Sequence, residues 1–97
     1  MTMHSPNQIP EWIRESLTAY VQTGRPTGGF LQACLENDLV GAIGRADENS
    51  YRVLGNIVSW IYNRAPGLCW GSREIVEDWQ IARHLDPMTD WTDGDES

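Results

Sequence analysis

The chain has 97 residues, 40% of them hydrophobic, and a formal charge of −7. That length supports one domain with a single modest core, and no run approaches the roughly 18 apolar residues of a membrane span. Seven bases against 14 acids leave no basic stripe to displace counterions, which disfavours duplex DNA or RNA as a partner but not a small anion in a local pocket.

The first residues, MTMHSPNQIPEW, lack the basic and then apolar layout of a secretory signal. Cys34 and Cys69 are accordingly expected as reduced thiols in a cytoplasmic protein. Residues 1–9 read as a flexible polar arm. Pro10 suits the first helical position, where its missing N–H costs nothing, and Glu11 suits the first turn. Ile13, Leu17, Tyr20 and Val21 recur at helical spacing over 10–22, and Gly24 closes that helix. A second helix starts near Gly29 or Phe30, with Phe30, Leu31, Cys34 and Leu35 as its apolar stripe. Asn37-Asp38 interrupts it, and Leu39, Val40, Ala42 and Ile43 continue as a short helix.

Asp47 is placed to cap the longest helix, over 48–64. Tyr51, Leu54, Ile57, Val58 and Ile61 line it, with Val53, Trp60 and Tyr62 widening the stripe enough to imply contact on more than one side. Ala65-Pro66-Gly67 ends it. Ser72 then caps a last helix over 73–85, buried through Ile75, Val76, Trp79 and Ala82. Residues 86–97 hold five acids (Asp86, Asp90, Asp93, Asp95, Glu96) and no base, and are expected to form a disordered acidic tail with Trp91 uncovered. The expected fold is therefore all-α, a compact bundle of four or five short helices spanning 10–85. Trp60 and Trp79 belong to its core or an interface, and Trp12 is partly exposed. Stripes too wide for one small core point to a homo-oligomer.

Two helix entries carry binding chemistry. In GRPTGGFL, Thr27, Gly28 and Gly29 precede the second helix. Glycines there let an anion approach unpaired backbone amides without meeting a Cβ, while Arg25 offers a charged fork and Thr27 a hydroxyl. No P-loop pattern is present. The alternative is a Thr-capped helix with two glycines in an awkward turn. In CWGSRE, Gly71 and Ser72 precede the last helix, Arg73 opens it, and Trp70 presents a flat face for stacking; the alternative is a Trp staple above a Ser cap. Phe30 repeats the aromatic neighbour at the first entry. The all-arginine base set fits forked phosphate contacts, or coding bias.

Catalytic signals are weak. His4 and His84 have no partner at metal-ligand spacing, and Cys69 has no sequence-adjacent base. Asp38, Arg45, Asp47 and Glu48 are expected to form an ion-paired network joining the short helix to the long one, and Glu74, Glu77 and Asp78 a solvated face. No enzyme, metal or cofactor is expected.

The words Gly28-Gly29-Phe30-Leu31, Asn37-Asp38-Leu39, Gly44-Arg45-Ala46-Asp47, Tyr62-Asn63, Ala65-Pro66 and Cys69-Trp70-Gly71-Ser72 together resemble a family of small bacteriophage and prophage proteins, mostly without assigned function. The resemblance spans about residues 9–80. It implies a host-takeover or anti-defence role, and by analogy with helical oligomeric phage proteins the sequestering of a nucleotide immune signal. Three expectations compete: a non-enzymatic sponge for a small phosphorylated ligand, an inhibitor that meets a host protein through its acidic surface, and a phage structural or assembly component.

Overall fold

The computed structural model describes residues 9–92. Helix α1 (Glu11–Thr23) starts behind Pro10, whose carbonyl accepts from the amides of Ile13 and Arg14 at 3.1 and 3.0 Å. It stops where Gly24 turns left-handed, φ +74°, and donates its N–H to the Tyr20 carbonyl at 2.8 Å. Only glycine suits this position twice over. The backbone conformation disfavours a side chain, and an added Cβ would lie 2.6 Å from the Gln80 carbonyl oxygen.

Helix α2 (Gly29–Leu35) and helix α3 (Leu39–Arg45) pack against one another across Asn37, which adopts φ +62°. The expected interruption at Asn37-Asp38 thus has a cause: asparagine tolerates the left-handed turn, and Asp38 then caps α3 by accepting from Gly41 N at 3.0 Å. The expected long helix over 48–64 is instead two, α4 (Glu48–Arg52) and α5 (Leu54–Arg64). At Val53 the backbone reaches φ −105°, ψ 12°, and its N–H donates to Ser50 rather than continuing the α-helical ladder. A β-branched residue followed closely by Gly55 makes this the weakest point for helix propensity. A 3-10 turn (Gly67–Cys69) leads to α6 (Arg73–Leu85). The break makes six α-helices among the described residues, where four or five were expected; the all-α class stands, with no strand among those residues. None of these helices is long and apolar enough to cross a membrane.

The core joins Ile13, Leu17, Tyr20 and Val21 of α1 to Leu31, Leu35, Ile57, Trp60, Ile61, Cys69, Val76 and Trp79. Burial of α6 runs through Val76 and Trp79, while Ile75 faces outward. Two side chains make buried hydrogen bonds between α1 and the segments that follow α5. The Tyr20 hydroxyl donates to the Cys69 carbonyl at 2.7 Å. The Trp79 indole N–H donates to the carbonyls of Tyr20 and Val21 at 3.3 and 3.2 Å, at the end of α1. Arg83 lies over the Trp79 ring, 4.7 Å from its centroid.

Both chain ends differ from expectation where they are described. Ile9 packs on the core instead of belonging to an arm; residues 1–8 lie outside the described residues. The domain also runs past Leu85. Met88 donates its N–H to the Gln22 carbonyl at 2.6 Å, and the Gln22 side chain donates back to the Trp91 carbonyl at 2.7 Å. Trp91 meets Trp60 edge to face, centroids 6.4 Å apart. Residues 88–91 therefore form a strap over α1 and α5, and Trp91 is covered rather than free. Residues 93–97 lie outside the described residues.

Candidate functional site

Gly71 joins two remote segments. It adopts φ +132°, and its N–H donates to the Leu35 carbonyl at 2.8 Å, tying the entry of α6 to the end of α2. Ser72 then caps α6 by accepting from Ile75 N at 3.2 Å, which was one of the two readings of this segment. As a result Gly29 and Arg73, 44 positions apart, line one cavity of about 380 Å³ together with Gln32, Ala33, Glu36, Asp38 and Arg45.

This lining is strongly polar and of mixed sign. The Arg73 side chain is 80% exposed and, among the described residues, paired only with Glu77 one turn along α6, at 3.3 Å; an exposed pair of this kind holds its partner weakly. Arg45 donates to the Gly41 carbonyl at 3.2 Å. Its aliphatic stem passes over Gly29 so closely that a Cβ there would lie 3.0 Å from Cδ. Glu36 accepts from the Gln32 amide at 3.0 Å. Two guanidinium groups and two carboxylates thus face a single space.

The remaining expected residues are distributed differently. Arg25 lies in a separate, open and mainly apolar groove of about 690 Å³ formed with Gly24, Pro26, Gln80 and His84. Thr27 does not cap α2; its hydroxyl donates to the Gly28 carbonyl at 3.4 Å, and the cap position is Gly28 itself, φ +96°, with no side chain to offer. Phe30 packs half-buried on the core. Trp70 also packs there, edge-on to Tyr62 with centroids 6.1 Å apart. It lines a second cavity, of about 240 Å³, between α2, α3 and α5.

The expected network of Asp38, Arg45, Asp47 and Glu48 resolves into local contacts. Asp38 caps α3, Asp47 caps α4 by accepting from Ser50 N at 2.7 Å, and Glu48 pairs with Arg52 at 3.0 Å. The Ser50 hydrogen bonds hold the Asp47 carboxyl below the usual carboxylate range. Cys34 and Cys69 are free thiols, pushed up to about 11 and about 12 by burial, so neither is a thiolate near neutral pH. Among the described residues no three His, Cys, Asp or Glu side chains gather as a metal-ligand set.

Gln32 and Glu36 were not anticipated as site residues. The signal was present: Gly29, Gln32, Ala33 and Glu36 follow the i, i+3, i+4, i+7 spacing of a single helix face. Comparison with protein-family models, curated proteins and solved structures finds no match.

Proposed function

We propose that the protein is a non-enzymatic binding protein for a small phosphorylated ligand, a nucleotide, held in the cavity that Gly29, Arg45 and Arg73 line. The observation that carries this reading is the shared cavity: residues from α2, α3 and α6 meet there, and among the described residues its two cationic side chains, Arg45 and Arg73, make only backbone or exposed contacts. Guanidinium forks match phosphate oxygens in geometry and charge. Glu36 and Asp38 argue against a bare anion and for a ligand that also carries hydroxyl or amino donors, as a nucleotide does. The resemblance to phage proteins supplies the setting: a sponge for a nucleotide immune signal in the host cytoplasm.

Isothermal titration of the full chain against mono-, di- and cyclic nucleotides tests this. Arg45→Ala and Arg73→Ala should each weaken binding by roughly tenfold to a hundredfold, the worth of one charge-assisted hydrogen bond at about 1.5–3 kcal/mol. Absence of heat with every nucleotide at high micromolar concentration would overturn the proposal. Arg25→Ala discriminates within it. If that variant alone loses binding, the ligand sits at the Arg25–Gly29 loop instead of the cavity.

A second reading, a protein-binding surface, has one observation in its favour. Val40 and Ile43 of α3, and Tyr51 and Tyr62, are exposed, Val40 by 82%. Apolar exposure on this scale marks association surfaces, and we propose homo-oligomerisation as its first use. Sedimentation equilibrium giving a clean 11 kDa particle at tens of micromolar would remove that use and leave a host protein as the occupant.

A further inference from the structure

The two cavities share one lining residue, Asp38. On the cationic side stand Arg45 and Arg73. On the other side Leu39, Leu54, Val58 and Trp70 supply an apolar wall, and Asn37 with Asp38 a polar edge. At about 240 Å³ the apolar cavity is smaller than a site for a whole drug-sized ligand, which takes about 300–1,000 Å³. It suits one flat ring. Trp70 also carries a buried indole N–H with no hydrogen-bond partner, a state that buried donors rarely keep.

We propose that the apolar cavity seats the base of the nucleotide while the Arg45–Arg73 cavity takes its phosphate, and that Asp38 selects a base bearing an exocyclic amine. The proposal rests on the anion site argued above. Asp38 borders the apolar cavity while its Oδ1 caps α3, and a carboxylate is an acceptor only, so this edge favours a donor. The amines of guanine, adenine and cytosine provide one; uracil has none. Trp70 and the aliphatic wall contribute apolar contact that does not depend on sequence-like readout, as base platforms do.

The test is titration of the full chain with GMP, UMP, ribose 5-phosphate and inorganic phosphate. GMP should bind at least about tenfold more tightly than ribose 5-phosphate, the order of gain from one seated ring, and more tightly than UMP. Val58→Phe, at the half-exposed rim of the apolar cavity, should cancel the advantage of GMP while leaving ribose 5-phosphate affinity in place. Asp38→Asn keeps a capping side chain and should abolish the preference for GMP over UMP. If ribose 5-phosphate binds the unaltered protein as tightly as GMP, the seat for the base is wrong while the anion site stands. If none of the four ligands binds, the anion site fails and the base seat with it. The unaltered protein decides both points, whatever the variants' stability.

Discussion

Single residues fix this fold at a few positions where chemistry leaves no choice. Tyr20 is one: its ring is fully buried and its hydroxyl supplies the donor for the Cys69 carbonyl. Tyr20→Phe keeps the packing and orphans that carbonyl, so it should cost about 1–3 kcal/mol, read as a lower midpoint in denaturant with an unchanged slope. The glycines separate by the same reasoning. Gly24→Ala combines a left-handed backbone with a Cβ against the Gln80 backbone, and should destabilise by more than about 1 kcal/mol. Gly29→Ala meets only the flexible stem of Arg45. Its melting temperature should hold while Arg45 is displaced, and ligand-dependent stabilisation should fall. Equal thermal losses for the two variants would contradict this distinction. From sequence both glycines mark helix boundaries; the neighbour 56 positions away that makes Gly24 irreplaceable is a tertiary fact.

At the scale of elements, the boundaries that local chemistry writes were legible. Pro10 and Glu11 opening α1, Gly24 closing it, and Ser72 opening α6 are each signals within one turn of the boundary they set. The break at Val53 was not legible, because the apolar spacing of 48–64 runs through it without interruption and propensity alone is a weak vote. The site followed the same rule. Gly29 and Arg73 were each visible as helix-entry residues, but their convergence depends on Gly71 bonding to Leu35, a contact between remote segments. Removing the α6 cap with Ser72→Ala should cost about 1 kcal/mol of stability and loosen the placement of Arg73, measurable together as a lower melting temperature and weaker nucleotide binding. Asp47 caps α4 in the same way, with a depressed pKa. Its stabilising contribution is therefore present above the unfolded carboxyl value of 3.8 and fades as pH falls through the lower folded value.

For the whole molecule, the strap and the three acids whose pKa burial raises, Tyr20, Cys34 and Cys69, bear on stability. Removing residues 86–97 deletes the Met88 and Trp91 contacts with Gln22 and Trp60, whereas cutting after Thr92 retains them, so only the longer truncation should lower the melting temperature. This separates tail charge from tail packing, which the acid-rich composition of 86–97 hid in the sequence. Alkaline pH should act on the molecule as a whole. Burial raises Cys34 and Cys69 from 9.0 to about 11 and about 12, and raises Tyr20 above its ordinary 10.0. Each group stays protonated in the folded chain at pH values where the unfolded chain has already released its proton. The folded state then binds more protons than the unfolded one, so stability must fall as pH rises. The loss should begin near pH 9, where the unfolded thiols ionise, and continue through about pH 11 to 12 as the folded thiols follow, with Tyr20 adding to it above pH 10. Denaturant midpoints measured from pH 7 to 11 should be flat at first and then decline, and replacing both cysteines by alanine should blunt the portion that starts near pH 9. A midpoint that stays level to pH 11 would mean that neither thiol is shielded from water as the packing of α1, α2 and the 3-10 turn requires.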